Sequence, residues 1–226
     1  MLAWVLGASG AWGGAIARSL LEAGADVVAL GRRDVPALAA EAARLGRGWA
    51  FARLDLTEPI PDLRALEAAL PAPLAGVPDV LVDAAFVTEG DREALVRADF
   101  LARADLIGAV AGAMRARGSG RIGVLVGQNG RLGLARLGDL SAPQGALWTW
   151  AEALAAELRA APGDVRLTIV VPPRTASATQ RVMTARSGRS AKLRPAEAGP
   201  IVRAILAGRR RAGRRPILAG LALLVR

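Results

Sequence analysis

The chain has no tyrosine, no histidine and no cysteine, and its single lysine is Lys192. Without cysteine there are no disulfides, thiolate nucleophiles or thiolate metal sites. Without histidine, a Ser-His-Asp triad and an imidazole-ligated zinc site are excluded too. Long hydrophobic runs are also missing. The last apolar run, Ile217 to Val225, is too short to span a bilayer as a helix, which needs about twenty residues, and is expected to be a final strand. The first begins at Leu2 with no basic leader before it, unlike a secretory signal, so a cytoplasmic protein is expected.

What is present is 226 residues, 53% of them apolar, enough for one sizeable core and marginal for two, so residues 1–226 are expected to form a single domain. The formal charge of +10 points in principle to nucleic acid or an acidic membrane surface. Arginine has replaced lysine almost everywhere while Ala, Gly, Leu and Val are abundant, a pattern of coding bias rather than of selection for an anionic partner, and no nucleic-acid role is expected. The short run Arg209, Arg210, Arg211, Arg214 and Arg215 is the best exception.

Apolar runs of strand length alternate with longer helical patterns, which predicts an α/β fold: a Rossmann-like, doubly wound parallel sheet of about seven strands with helices on both faces. Strands are expected at Leu2 to Leu6, Val27 to Leu30, Trp49 to Leu54, Val80 to Ala84, Arg121 to Val126, Val165 to Val171 and the tail. Helices are expected at Ala11 to Ala23, Val35 to Leu45, Ile60 to Leu70, Asp91 to Arg117, Gln144 to Ala160 and Pro195 to Leu206. Gly24, Gly46, Gly118 and Gly208 stand where left-handed helix stops belong. Pro172 to Arg194 reads as one long irregular segment after a strand's carboxyl end, where ligands bind in such sheets, and Arg174, Arg181 and Arg186 would suit an anionic ligand there.

Between the first strand and the first helix stands Gly7-Ala8-Ser9-Gly10-Ala11-Trp12-Gly13-Gly14. Glycines there let backbone approach a pyrophosphate, whose charge the following helix N-terminus attracts. About twenty residues on, the second strand ends at Gly31-Arg32-Arg33. An acid at that point suits the ribose hydroxyls of NAD, whereas arginine suits a 2'-phosphate, so NADP(H) is expected over NAD(H), with Arg32 as the main contact. The same pair also fits ordinary surface arginines in so arginine-rich a chain. Trp12 would either shield a pyrophosphate or fill its place.

These residues resemble the short-chain dehydrogenase/reductase family over nearly the whole chain. Leu6 to Gly13 is similar to its glycine motif, with Ala11 where the middle glycine commonly stands. Asp55-Leu56 resembles the acid-plus-apolar pair set against adenine. Gly120-Arg121-Ile122, Ala155-Ala156-Glu157-Leu158 and Pro172 match further anchors in order. The resemblance implies a nucleotide site of Gly7, Ser9, Gly10, Trp12, Gly13, Arg32, Arg33, Asp55, Leu56 and Ala84, and a homodimer or homotetramer built through helices 91–117 and 144–160.

The same anchors set the register of the family's catalytic positions, and each differs here. Asn-Asn-Ala-Gly reads Asp83-Ala84-Ala85-Phe86, the catalytic asparagine falls on Asp99 and the serine on Gly127. Tyr-x-x-x-Lys falls on Leu140-Ser141-Ala142-Pro143-Gln144. Leu140 donates no proton, Gln144 carries no charge and Gly127 has no hydroxyl. A positioned acid typically contributes about 10² to 10⁴ in rate, so ordinary ketoreductase turnover is not expected.

Candidate substitutes are Asp139 and Ser141, which flank the tyrosine position, where a desolvated carboxyl would act as an acid, and Asp99, a further acid near the expected cleft. Asp83, Gln128, Asn129 and Gln144 complete the polar set, and hydrogen bonding to loops is the plainer reading of Asp83 and Gln144. Three functions remain in contention. One is an NADP(H)-binding protein with atypical chemistry on a small carbonyl or cyclic substrate. Another is a non-redox cyclase or isomerase using an aspartate for proton transfer. The third is a non-catalytic partner subunit.

Overall fold

The computed structural model describes residues 1–188, 193 and 195–213. The strands are β1 (Leu2–Leu6), β2 (Asp26–Gly31), β3 (Trp49–Arg53), β4 (Val80–Asp83), β5 (Ser119–Leu125), β6 (Asp164–Val171) and β7 (Arg211–Gly213). They form one parallel sheet in the order β3-β2-β1-β4-β5-β6-β7. From β1 the chain winds outward to β3, then returns to place β4 on the other side of β1. That reversal opens a crevice at the carboxyl ends of β1 and β4, where sheets of this kind take their ligands.

Alternation along each strand sends side chains into two cores. Ala3 and Val5 of β1 pack with Ile16, Ala17, Leu20 and Leu21 of helix α1 (Ala11–Glu22), with Leu38 and Ala42 of α2 (Pro36–Arg44), and with Ile201, Val202 and Ile205 far along the chain. Trp4 and Leu6 face the other way, into the cluster that holds Leu66 of α3 (Leu63–Ala68) and the helices beyond it. The period of two in a fully buried parallel strand is what needs both faces apolar.

The expected helix over 91–117 is three pieces: α4 (Arg92–Val96), a π turn at Arg97–Leu101, and α5 (Ala102–Arg117). The widened turn carries Asp99 inward. The expected helix at 144–160 begins earlier, as α6 (Gly138–Ala160), with Pro143 inside it. The missing N–H of Pro143 costs only the bond to the Asp139 carbonyl early in the helix, where few bonds are at stake. Helix α3 is shorter than expected because Asp62, following Pro61, caps it by accepting from the Ala65 N–H at 2.8 Å.

The segment from Pro172 is not wholly irregular. It contains α7 (Ala178–Ser187), whose Ser177 hydroxyl accepts from the Gln180 N–H at 3.0 Å in N-cap fashion. The last described helix is α8 (Gly199–Leu206), which starts after the expected Pro195, with Pro200 in its first turn. The tail strand expected at 217–225 lies outside the described residues, and β7 precedes it.

Candidate nucleotide cleft

A cleft of about 660 Å³ opens at the carboxyl edge of the sheet. Gly7, Ser9, Gly10, Ala11 and Trp12 form one side, and Gly31, Arg32 and Arg33 stand at the end of β2. Asp55, Leu56 and Thr57 follow β3, Ala84 to Glu89 follow β4, and Val126 to Asn129 follow β5. Pro172 to Thr175 and the start of α7 close the far side. Of the expected nucleotide-site residues, Gly7, Ser9, Gly10, Trp12, Arg32, Arg33, Asp55, Leu56 and Ala84 all line this cleft.

Gly13 lies behind the lining. A Cβ there would overlap the Gly7 carbonyl oxygen, so the glycine lets the first turn of α1 sit hard against the loop. Gly7 itself has φ +81°, in the left-handed region, and a Cβ on it would stand 2.9 Å from the Ala85 backbone nitrogen. The Gly10 N–H donates to the Gly7 carbonyl at 2.9 Å, closing the turn. The result is a cradle of bare backbone in front of a helix N-terminus whose first N–H groups have no partner inside the helix, the arrangement that fits a pyrophosphate.

Asp55 accepts from the Thr57 N–H at 3.1 Å and from the Thr57 hydroxyl at 2.8 Å. Its partial burial raises the carboxyl, but those two bonds and the charges of Arg32 and Arg53 outweigh it and hold Asp55 below the usual carboxylate range. Arg32 is thus near enough to feel the Asp55 charge, although both arginines at this strand end are exposed. The residues present therefore fit an NADP-type dinucleotide: bare backbone that a pyrophosphate can approach, and guanidinium groups that suit a 2'-phosphate.

The catalytic register is arranged differently. Leu140 is wholly buried in a small cluster with Leu95 and Leu137. Gln144 is wholly buried too, its Oε1 accepting from the Gly127 N–H at 2.9 Å. A Cβ at Gly127 would overlap the Asn129 Oδ1 and stand 3.3 Å from the Phe86 ring, so Asn129 and Phe86 fill the space above Gly127. Asn129 is tied in turn by its Nδ2, which donates to the Leu140 carbonyl at 3.1 Å and to the Ser141 hydroxyl at 3.5 Å.

None of Asp99, Asp139 and Ser141 is among the residues lining the cleft. Asp139 is exposed and accepts from Arg92 Nε at 2.8 Å. Ser141 is buried beside Asn129. Asp99 is wholly buried beneath the floor, where its Oδ1 accepts from the Val87 N–H at 2.9 Å. Burial pushes Asp99 up to about 6, against the opposing pull of Arg103, the Val87 N–H and the Gln144 side chain, with Asp83 adding like charge. Burial likewise raises Asp83, against the pull of Arg103 and of the Ala85 N–H.

Sequence reasoning missed Arg103. Its signal was visible as a charge four residues after Asp99 in a helix otherwise rich in Ala, Leu, Ile and Val, but in a chain so full of arginine it did not stand out. Trp148 is buried, with the Arg131 guanidinium 4.6 Å and that of Arg211 5.6 Å from its ring, while Trp150 is half-buried at the margin of the core. Among the described residues no cluster of carboxylates could hold a metal ion, and no helix is long and apolar enough to cross a membrane.

A parallel sheet with this strand order, helices on both faces and a glycine turn at the switch point defines a Rossmann-type α/β domain. The family model for short chain dehydrogenases matches residues 1–188. The chain belongs to that family. Solved structures agree on the fold. A short-chain dehydrogenase from Streptomyces avermitilis is 25% identical, with 95% of this chain and 88% of that one covered at a TM-score of 0.75. A variant of the actinorhodin polyketide ketoreductase, determined with NADPH, is 23% identical, with coverage of 95% and 85% and a TM-score of 0.72. A 3-oxoacyl (acyl-carrier-protein) reductase from Agrobacterium tumefaciens, with NADP bound, is 20% identical, with coverage of 90% and 86% and a TM-score of 0.74. Comparison with curated protein sequences found no match.

Proposed function

We propose that the protein binds NADP(H) in this cleft and acts there on a small carbonyl or cyclic substrate without the serine, tyrosine and lysine set of its family. The observation that carries the reading is that Arg32 and Arg33 line the same cleft as the glycine turn, with no acid at the end of β2. NADPH or NADP in the actinorhodin and Agrobacterium relatives supports it. When bound, the nicotinamide supplies hydride transfer. The chain's own part is to hold the nucleotide on the backbone of the Gly7 to Trp12 turn, to clasp its 2'-phosphate with Arg32, and to wall the substrate end with Phe86, Gln128 and Asn129.

The chain has no tyrosine or histidine, and among the described residues no lysine lines the cleft and Asp55 and Glu89 are the acids in its lining. Proximity to a bound hydride donor then carries the rate, with positioned acid catalysis subtracted. The placement of Asp99 and Asp139 outside the lining gives the non-redox reading no support. The half-buried Arg174, which lines the cleft after β6, suits a substrate with an anionic group. We place the chain in the cytoplasm, and assign α4, α5 and α6, which cover the segments 91–117 and 144–160, as its self-association faces.

The test is equilibrium titration with NADPH and with NADH, followed by tryptophan fluorescence, since Trp12 stands in the cleft wall. NADPH-selective quenching supports the reading. Absence of binding by either nucleotide overturns it and leaves the partner-subunit role, which the substituted Ser-Tyr-Lys positions favour; co-purification with an intact homologue would then be sought.

A further inference from the structure

Arg103 of α5, Asp83 at the end of β4 and Asp99 in the π turn are all wholly buried. The Arg103 Nε donates to Asp83 Oδ2 at 2.7 Å, its Nη2 donates to the Leu125 carbonyl at 2.7 Å, and its Nη1 stands 3.7 Å from Asp99 Oδ1. Each carboxylate passes the connection on. Asp83 Oδ1 accepts from the Ala85 N–H at 3.2 Å, and Asp99 Oδ1 from the Val87 N–H.

Those two N–H groups belong to the strip Ala84 to Val87, which lines the cleft. The strip also backs the glycine turn, as the closeness of Ala85 to a Cβ on Gly7 shows. One guanidinium therefore ties the ends of β4 and β5 to α5 and, through two carboxylates, fixes the backbone against which the phosphate cradle rests. A buried ionic group of this kind is a poor device for stability alone, because well-packed apolar residues of similar volume often do as well or better. Leu106 and Val110 on the same helix show that apolar packing is available there.

We infer that Arg103 is a positioning residue for nucleotide binding: it touches no ligand, but holds the Ala84 to Val87 strip at the distance from the Gly7 turn that the cradle requires. This rests on the reading that the cleft takes NADP(H). The Asp83 and Asp99 carboxylates are its means, since each one joins the guanidinium to a backbone N–H of the strip.

Two variants test it. The triple variant Asp83→Asn, Asp99→Asn, Arg103→Met leaves no unpaired buried charge, and Arg103→Lys keeps the charge but loses the planar fork that serves Asp83 and the Leu125 carbonyl together. Amide hydrogen exchange at Ala85 and Val87 is read without nucleotide, and NADPH affinity is read beside it. For the folded triple variant, exchange at both amides is expected to quicken about tenfold or more and NADPH to bind at least about tenfold more weakly, or about 1.4 kcal/mol. Arg103→Lys is expected to fall between it and the wild type. Unchanged exchange, or wild-type NADPH affinity in either folded variant, overturns the inference. If the triple variant does not fold, Arg103→Lys decides alone. A wild-type protein that binds no NADPH would instead sink the cofactor reading, while the exchange data still report the tie itself.

Discussion

Asp99 and Arg103 face each other one helical turn apart, both wholly buried, with 3.7 Å between Oδ1 and Nη1. With Asp83 alongside, two carboxylates share one guanidinium in a dry site, so the set is neutral only when one carboxyl holds a proton. Asp99 is pushed up to about 6 by its burial, and its Oδ1 already accepts from the Val87 N–H, which makes Asp99 the natural holder.

Stability should therefore rise as the solution is acidified from pH 7.5 to 5. Asp99 is pushed up to about 6 from an ordinary 3.8, so folding takes up a proton. Its stabilising contribution is complete below about pH 4 and is lost as pH rises through 6, a swing on the order of 3 kcal/mol. The raised carboxyl of Asp83 acts in the same direction. Asp55 and Asp164 have the opposite sign, but they are held below 3.8 and withdraw stability only below this window. Thermal melting across pH 5 to 7.5 should show the rise, and Asp99→Asn should flatten it and melt several degrees higher at pH 7.5. A wild-type profile that falls towards pH 5 contradicts the argument.

Arg32→Ala should weaken NADPH by about tenfold or more and leave NADH nearly unchanged. A guanidinium on a phosphate makes charge-assisted bonds that the unphosphorylated ribose cannot offer. Titration of both nucleotides against both proteins checks it. Equal losses would show that Arg32 does not read the 2'-phosphate.

The sheet, its strand positions and the glycine turn were legible because they rest on local rules: apolar alternation, strand length and the turn chemistry of Gly7 and Gly13. Helix ends were less so. Pro143 reads as a boundary to any local rule, yet α6 runs through it because Leu140 and Leu137 bury themselves against Leu95 across the chain. The same tertiary packing separates Asp139 from the cleft and pairs it with Arg92, forty-seven residues away. Counting places a residue in a register; only packing decides which way it faces. Arg103 escaped for a related reason, since its role depends on Asp83 and Leu125, which neighbour it only in space.

Restoring the family's residues one at a time should not restore its chemistry. Leu140→Tyr forces a larger ring and a hydroxyl into a closed apolar cluster, at a cost of about 1 to 3 kcal/mol. Gly127→Ser drives its Cβ into the Asn129 side chain, so Asn129 must leave its bond to Leu140 first. Both variants should melt lower than the wild type, and neither should gain NADPH-dependent ketone reduction above background in an absorbance assay. A Leu140→Tyr protein with turnover near that of ordinary ketoreductases would show that the α6 register is not what stands in the way.

Arg174 supplies the remaining test, of what lies beyond the nucleotide. The residue is half-buried at the carboxyl end of β6, lines the cleft, and has no ion pair or hydrogen bond among the described residues. A guanidinium at the cleft wall with no partner among the described residues has its donors open to an incoming carboxylate or phosphate ester. Since Arg174 has no partner among the described residues to orphan, Arg174→Gln should leave stability within about 0.5 kcal/mol of the wild type. With NADPH saturating, binding of small carboxylates and phosphate monoesters, followed by calorimetry, should weaken about tenfold or more in the variant and fall with added salt. Neutral ketones of the same size should bind the two proteins alike. Loss of both anionic and neutral ligands together would mean that Arg174 shapes the wall rather than recognising charge.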